Sequence, residues 1–354
     1  MHNTKPGLRR ICLVRLSALG DVCLVIPLVR SLQRALPDAR LTWVVGRDAF
    51  PIVEELSRVE FVVFDKRSGW REFLRVGKKL KEEAFDVLLA LQASFRANLL
   101  YPWVRARRKI GFDRRRARDG HGWFVRETIP PARQHFVDAY LSFARVLGVD
   151  PGTVIWDLPL RVEDRASVRT LLTGLPRPLC AVNPCASKSE RNWPPDCFAE
   201  LIKQAFRRWS GAVVLTGGSS RSEREIAERL CLLLGPGIPV ANLVGRTSLR
   251  QLFALLAEAD VLISPDSGPV HFANAVGTRV VGLYAAVPAA LSGPYHSRHL
   301  VVDKFGEAAR RFLKREAAEL PWNTRVHHPA AMSLITVEEV FERLSAALAE
   351  KGFR

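Results

Sequence analysis

The segment best suited to bind an anion is Ser-Pro-Asp-Ser-Gly-Pro-Val-His at 264–271. It follows an apolar strand-like run and opens a helix pattern, so its backbone N–H groups should point at one spot. A helix N-terminus favours phosphate through its unpaired N–H groups and its dipole, and Ser267 and Gly268 can add a hydroxyl and an amide. Asp266 would repel phosphate, so we expect it to bind sugar hydroxyls or organise the loop; His271 lies one turn into the helix. The alternative is a helix cap followed by a core histidine.

A second set of phosphate-binding groups lies in the loop Asn-Pro-Cys-Ala-Ser-Lys-Ser-Glu-Arg-Asn-Trp-Pro-Pro at 183–195. Its hydroxyls, including Ser187, and its cations, including Arg191, suit a diphosphate together with the loop N–H groups. The alternative is a surface loop that ends in a Pro-Pro helix start.

A third loop, Thr-Gly-Gly-Ser-Ser at 216–220, is followed by Glu223. Glycines after a strand let a ligand come near the backbone. Glu223 can accept hydrogen bonds from the hydroxyls of a ribose or another sugar. The alternative is an ordinary strand–turn–helix connection.

The segment Ser17-Ala18-Leu19-Gly20-Asp21 lies between the first strand pattern and the first helix pattern. Gly20 permits close approach of a ligand, and Asp21 stands where a helix N-cap belongs. A carboxylate at the mouth of a ligand cleft can take a proton from an attacking hydroxyl. Asp21 is therefore either a capping residue or a general base.

The stretch 105–118 is rich in arginine and poor in apolar periodicity, and Arg96 lies nearby in the sequence. It is either a solvated basic loop or a clamp for a phosphorylated or carboxylated acceptor, because arginine binds such groups with two parallel hydrogen bonds. Arg114 and Arg118 are the candidate clamp residues within it.

Several common sites are missing from the sequence. It contains no G-x-G-x-x-G, Walker, G-x-S-x-G, D-x-D or C-x-x-C motif. The histidines at 296, 299, 327 and 328 have no acidic or cysteine partner at ligand spacing. We therefore expect neither a bound metal nor a cofactor.

Short apolar runs alternate with helix patterns through both halves of the chain, which predicts parallel sheets covered by helices, an α/β class. We place one Rossmann-like domain at 1–165 and another at 166–335, with a Pro- and Gly-rich linker within 148–178 and a final amphipathic helix in 336–354. Doubly wound sheets bind ligands at the carboxyl ends of their strands, so the cleft between the domains is the expected site.

Charge is the unusual feature of the composition. Against 36 acidic residues stand 53 lysines and arginines, a net charge of +17, which attracts polyanions. No apolar run approaches the ~18 residues that span a bilayer. We expect a cytoplasmic protein that sits peripherally on an anionic membrane, with its six cysteines reduced.

The chain resembles the family 9 glycosyltransferases, the bacterial lipopolysaccharide heptosyltransferases, over nearly its whole length. The likeness rests on RLSALGDVCLVIPLVRSLQRALPDARLTWVVGRD, NPCASKSERNWPPDCFAELI and LVGRTSLRQLFALLAEADVLISPDSGPVHFANAVGTRVVGLYA, in family order. The stretches GFDRRRARDGHGWF and LTWVVGR are most similar to heptosyltransferase I.

This resemblance implies a GT-B fold: two Rossmann-like doubly wound domains facing a central cleft, with the last helix packing back toward the first domain. It also implies metal-independent, inverting transfer of a heptose from ADP-L-glycero-D-manno-heptose. The implied acceptor is Kdo-bearing lipid A at the inner leaflet, so the heptose would join the Kdo/inner-core region of lipopolysaccharide.

The resemblance also implies roles for single residues. Asp21 falls on the family's proposed base, Thr247 on its adenine pocket, and Arg191 on a lysine that contacts the donor phosphates. The expected donor residues are Ser187, Arg191, Glu223, Thr247, Asp266, Ser267, Gly268 and His271. The expected acceptor residues are Ser17, Gly20, Arg96, Arg114 and Arg118.

Two other functions stay open at this point. One is a GT-B enzyme that uses another nucleotide sugar or acceptor. The other is a non-enzymatic polyanion-binding protein, which the charge favours. Against nucleic acid as a partner, the arginines lack interleaved aromatic residues and no nucleic-acid-binding motif is present.

Overall fold

The computed structural model describes residues 7–354, which form two compact units that divide after Pro159. Each unit is built on one six-stranded parallel sheet with helices packed on it. The predicted α/β class with two doubly wound domains is therefore confirmed. Among the described residues, no helix is both long and apolar enough to cross a membrane.

The first unit has strand order β3-β2-β1-β4-β5-β6. Its strands are β1 (Arg10–Val14), β2 (Arg40–Gly46), β3 (Val59–Phe64), β4 (Phe85–Ala90), β5 (Ala106–Gly111) and β6 (Glu127–Thr128). Its helices are α1 (Leu19–Ala35), α2 (Phe50–Val53), α3 (Trp70–Lys81), α4 (Phe95–Asn98) and α5 (Phe136–Val146). Helix α1 packs against α5 and is buried on most of its surface, which explains its nearly continuous apolar sequence.

The second unit repeats this arrangement with strand order β12-β11-β10-β7-β8-β9. Its strands are β7 (Leu179–Val182), β8 (Ala212–Leu215), β9 (Val240–Asn242), β10 (Val261–Pro265), β11 (Arg279–Tyr284) and β12 (Val302–Asp303). Its helices are α6 (Val162–Leu171), α7 (Pro195–Trp209), α8 (Arg221–Leu234), α9 (Leu249–Glu258), α10 (Gly268–Ala275), α11 (Ala289–Ser292), α12 (Phe305–Ala308) and α13 (Val337–Ala349). Numbered within its own unit, each sheet has the order 3-2-1-4-5-6 of the dinucleotide-binding folds.

The segment that we predicted as a linker, 148–178, is divided between the two units. Its first part is fastened to the first unit, where the Trp156 indole donates to the Cys23 carbonyl over 3.0 Å. Its later part forms α6, which packs on α9. The predicted boundary at 165/166 would cut through α6, so the division after Pro159 replaces it.

The last segment, 336–354, is not a separate element. Helix α13 packs on α7, β10 and β11 of the second unit, and Val340, Leu344 and Leu348 belong to that unit's core. The Trp193 indole, which is buried, donates to the Ile335 carbonyl just before α13. The apolar face of α13 completes the second core. Packing of this helix toward the first domain stays a prediction.

The stretch 105–118 is only partly the exposed loop that we predicted. Its first half forms β5, which pairs with β4 and β6, and the loop proper begins at Phe112. Strand β5 was hidden in the sequence because Arg107 and Arg108 interrupt its apolar pattern.

All six cysteines are free, and Cys12, Cys23, Cys180 and Cys185 are buried as expected. Cys197 and Cys231 are half-buried. Burial raises the pKa of the Cys185 thiol to about 12, so it behaves as a small apolar residue rather than a nucleophile.

Candidate functional site

The sequence-predicted residues collect at the carboxyl edges of the two sheets. In each sheet the strand order reverses between the first and fourth strands, β1 and β4 in one and β7 and β10 in the other. In doubly wound sheets this reversal point, at the carboxyl ends of the strands, is where ligands bind. We describe the two edges separately.

At the first edge, Asp21 lies in the first turn of α1. Its Oδ2 accepts a 3.3 Å hydrogen bond from the Ala18 N–H and is paired with the Arg15 guanidinium. Ala18 is the N-cap and Asp21 the third helical residue, so the predicted N-cap position of Asp21 is corrected by three residues. Within residues 7–354, Asp21 Oδ1 has no hydrogen-bond partner.

Arg15 is the buried cation of this edge. Its second guanidinium nitrogen donates to the Leu91 carbonyl over 2.8 Å, at the end of β4. Burial is the largest single influence and lowers the pKa of Arg15, but the combined interactions with Asp21, Tyr140 and Tyr101 outweigh it and leave the pKa above its usual range. Arg15 therefore stays protonated and keeps one oxygen of Asp21 in place.

The loop before α1 is held by Gln92, which follows β4. The Gln92 carbonyl oxygen accepts from the Leu16 and Ser17 N–H groups over 2.8 and 3.2 Å, and its amide donates to the Ser17 hydroxyl over 3.3 Å. Gly46 at the end of β2 donates to the Leu16 carbonyl, and a Cβ at Gly46 would run into that oxygen. Ser17 is exposed, whereas Gly20 is buried in the first turn of α1 rather than in a turn before it.

The predicted acceptor arginines, Arg96, Arg114 and Arg118, lie in the segments that follow β4 and β5 at this edge, and all three are exposed. Within the described chain none of their guanidinium groups makes an ion pair or hydrogen bond. The two segments are joined where the Phe95 N–H donates to Asp119 Oδ2 over 2.9 Å.

His121 fixes the same two segments from inside. Its Nε2 accepts from the Phe112 N–H over 3.1 Å, so its Nδ1 carries the proton that is donated to Asn98 Oδ1 over 3.0 Å. Desolvation lowers the pKa of His121 to about 4, so the ring is neutral at neutral pH.

At the second edge, Asp266 is the centre of a polar cluster. Its Oδ2 is paired with the Arg191 guanidinium at 2.8 Å, and its Oδ1 accepts from the Ser292 hydroxyl at 2.9 Å. Both oxygens are therefore engaged. This agrees with the interpretation that Asp266 organises the loop, and it fixes a cation beside the start of α10.

Asn183 joins the loops that follow β7 and β10. Its amide donates to the Cys185 carbonyl over 2.7 Å and lies 3.3 Å from the Ser267 hydroxyl. The Ser264 and Ser267 hydroxyls are 2.8 Å apart. Ser267 is the N-cap and Gly268 the first residue of α10, so the segment 264–271 does open a helix.

The other predicted donor residues lie at the same edge. Glu223 binds its own loop, because its carboxylate accepts from the Gly218 N–H over 2.8 Å and from the Ser220 hydroxyl over 2.5 Å. Ser187 is exposed after β7, Thr247 is half-buried after β9, and His271 is buried one turn into α10.

The polar residues that sequence reasoning did not single out are Arg15, Gln92, Asn183 and Ser292. Three of these lie at strand ends: Arg15 directly after β1, Asn183 directly after β7, and Gln92 two residues after β4. A polar side chain at the exit of an apolar strand is a signal that could have found them. Ser292 has no such signal, because it reaches Asp266 from the distant helix α11. No group of three or more metal-ligating side chains is found among residues 7–354.

A family model described as "Glycosyltransferase family 9 (heptosyltransferase)" matches residues 73–322. The lipopolysaccharide core heptosyltransferase OpsX of Haemophilus influenzae is 33% identical over 337 residues, which cover 95% of this chain and 96% of that protein.

Two solved structures share the fold across nearly the whole chain. The glycosyl transferase family 9 protein of Veillonella parvula aligns with a TM-score of 0.83 at 21% identity, covering 98% of this chain and 99% of that one. The ADP-heptose lipopolysaccharide heptosyltransferase II of Escherichia coli aligns with a TM-score of 0.73 at 21% identity, covering 97% and 99%. These likenesses confirm the GT-B fold.

Proposed function

This chain belongs to glycosyltransferase family 9 and is a glycosyltransferase, and from that premise we propose that it transfers a heptose from ADP-L-glycero-D-manno-heptose to the Kdo/inner-core region of a lipopolysaccharide precursor. The observation that carries this proposal is the full-length likeness to the Haemophilus influenzae protein, whose name gives a lipopolysaccharide core heptosyltransferase. The Escherichia coli structure carries ADP-heptose in its name, which supports the proposed donor.

We propose that the second unit binds the donor. The diphosphate would lie at the start of α10, where the backbone N–H groups, the Ser267 hydroxyl and the Arg191 cation can share its charge. Arg191 is held by Asp266, so it is already in position before the donor arrives. Preorganised charge of this kind stabilises the leaving ADP as negative charge gathers on it.

For the acceptor we propose the edge that carries Ser17, Arg96, Arg114 and Arg118, with Asp21 as the general base. Its unengaged Oδ1 takes the proton of an acceptor hydroxyl, whose oxygen attacks the anomeric carbon of the heptose. The bond from that carbon to the diphosphate breaks, and its electron pair leaves with ADP. Attack from the face opposite the leaving group inverts the anomeric configuration.

In this proposal no metal takes part, because Arg191 and the α10 terminus supply the positive charge that a divalent ion supplies elsewhere. The protein would act at the cytoplasmic face of the inner membrane as a peripheral protein, because its acceptor is an anionic lipid and its own net charge is +17.

The test is a transfer assay with the purified protein, ADP-heptose and Kdo₂-lipid A, read by mass spectrometry in excess chelator. We expect a product one heptose heavier and unchanged turnover with chelator. Parallel reactions with UDP- and GDP-sugars test the alternative donors. No product from any donor, together with tight binding of a DNA duplex, would favour a polyanion-binding protein instead.

A strain lacking the protein provides an independent test in the cell. Mass spectrometry of its lipopolysaccharide should show a core truncated at the heptose that this enzyme adds. A full-length core would contradict the proposal.

A further inference from the structure

Exposed apolar side chains are concentrated at the carboxyl edge of the first sheet. Of the ten large apolar residues that stand exposed in the described chain, six belong to the segments that follow β1, β3, β4 and β5. These six are Leu19, Trp70, Leu74, Phe95, Leu99 and Trp123. Carboxyl ends of parallel strands share one edge, so the cluster is a property of that edge rather than of the surface at large.

Three aromatic rings dominate the cluster: Trp123 is 88% exposed, Trp70 69% and Phe95 68%. Trp70 and Phe95 are the first residues of α3 and α4. Trp123 stays near the same edge because β6 pairs only with the last residues of β5, with Glu127 opposite Ile110. Exposed rings of this size are unfavourable in water unless a partner covers them.

The backbone under these rings is held in place. The Phe95 N–H is bound by Asp119, and the turn that ends in Trp123 starts at His121, whose ring is bonded on both sides. The rings are therefore presented by ordered segments.

Positive charge surrounds the rings. Arg71, Arg96, Arg114 and Arg118 are exposed and have no ion-pair partner within residues 7–354. Lys66 and Arg67 lie just before Trp70 and share a single acid, Asp48. Tryptophan rings beside arginines match the interface of an anionic bilayer, where the rings sit at headgroup level and the cations meet lipid phosphates.

We propose that this edge, defined by Trp70, Phe95 and Trp123 with their neighbouring basic residues, docks on an anionic phospholipid bilayer by inserting the three rings at headgroup depth. The proposal rests on the proposed function for its purpose, since docking would bring the acceptor side of the enzyme to its lipid. Docking on the bilayer differs from acceptor binding because docking needs only phospholipid.

The test is sedimentation of the full chain with vesicles of phosphatidylethanolamine and phosphatidylglycerol that contain no lipopolysaccharide. We expect the W70A/F95A/W123A variant to bind at least about tenfold more weakly than the wild type. The matched control is Leu232→Ala in the second unit, which removes an apolar side chain that is 83% exposed and should leave binding unchanged. Arg71→Gln should weaken binding a few-fold on anionic vesicles only.

Transfer assays separate docking from function. The triple variant should keep wild-type kcat/KM on a deacylated, water-soluble acceptor and lose at least about tenfold on acceptor embedded in vesicles. Equal vesicle binding by the wild type and the triple variant would overturn the proposal. The proposal would also be overturned if the wild type dimerised without vesicles, or bound nucleic acid, and the triple variant abolished that dimerisation or binding. Vesicle binding without transfer to either acceptor would instead refute the proposed function and leave the docking surface standing.

Discussion

Arg15–Asp21 in the first unit and Arg191–Asp266 in the second are arginine–aspartate pairs with a mostly buried arginine at the carboxyl edge of a sheet, and they differ in what they leave free. Both arginine side chains are 11% exposed. Asp266 is 13% exposed, and its two oxygens are taken by Arg191 and Ser292. Asp21 is 31% exposed and accepts Arg15 and a backbone N–H on the same oxygen, which leaves Oδ1 without a partner in the described chain.

The role of a carboxylate is therefore set by its hydrogen-bond partners and exposure rather than by its residue type. A base needs an accessible lone pair, and Asp21 has one. Each oxygen of Asp266 already accepts one hydrogen bond, from Arg191 or Ser292, which suits a role in holding those groups in position. The predictions below test this division, starting from the largest expected effect.

Asp21→Asn should lower kcat about 10²–10⁴-fold, because the amide cannot accept the acceptor proton. Its affinity for ADP should stay unchanged, since Asp21 lies in the other unit from the donor residues. The measurements are initial rates of transfer and calorimetric titration with ADP. Wild-type turnover in Asp21→Asn would remove the base from the mechanism and erase the distinction between the two aspartates.

Arg191→Ala should weaken ADP binding about 100-fold, because it removes a charge-assisted contact and leaves Asp266 unpaired in a mostly buried place. Arg191→Lys keeps the charge and should recover part of that loss. Calorimetry with ADP measures both. Equal affinities for the wild type and the alanine variant would show that the pair is structural only.

Acid should loosen the first edge at a higher pH than the second, where a backbone hydrogen bond and His327 lower the pKa of Glu190, so that its stabilisation is lost only below pH 4.5. The pKa of His121 is lowered from 6.5 to about 4, so between these values the unfolded state binds a proton that the folded state does not. The stabilisation is complete above pH 6.5 and is lost as the pH falls toward 4, by about 3 kcal/mol in all. Amide hydrogen exchange of residues 95–123 against pH measures it.

The control for this prediction is His121→Gln, which does not titrate and should show a flatter pH dependence in the same segment. Residues 183–191 of the second unit should not follow the His121 profile. A profile that is the same in the variant would assign the pH effect to another group.

Ser292→Ala should have the smallest effect, about a fivefold loss of ADP affinity, because it frees only Oδ1 of Asp266 and leaves Arg191 in place. Ser345→Ala is the matched control, since the Ser345 hydroxyl donates to the Phe341 carbonyl in α13 of the same unit. An effect as large as that of Arg191→Ala would mean that Ser292 contacts the donor itself.

The fold and the edges of both sheets followed from the sequence because apolar strands and the loops after them are local patterns. The opening of a helix within the segment 264–271 could be predicted from that stretch of residues alone. The hydrogen-bond partners of the site residues could not be predicted, because Arg191 binds Asp266 across 75 positions of sequence and Arg15 binds Leu91 across 76. Such pairs depend on which strands lie side by side, and the strand order cannot be predicted from any single segment of the sequence.

The errors have equally specific causes. Strand β5 was missed because a strand near the sheet's edge tolerates arginines. The packing of α13 on the second core could not be predicted, because an amphipathic pattern shows that a helix buries one face without showing which element covers it. Asp21 was placed at the N-cap because an aspartate is favourable both at the N-cap and within the first turn of a helix.

Gly46 shows that a residue outside the proposed catalytic groups can still be intolerant of substitution. A methyl group at this position would press on the Leu16 carbonyl, one residue before the loop that leads to Asp21. A larger residue at position 46 should therefore be disfavoured, although Gly46 is not among the residues proposed to bind either substrate, and a screen scoring only survival would rank it beside the chemical residues. Intolerance to substitution at position 46 would report the spacing of two backbones, not a catalytic role.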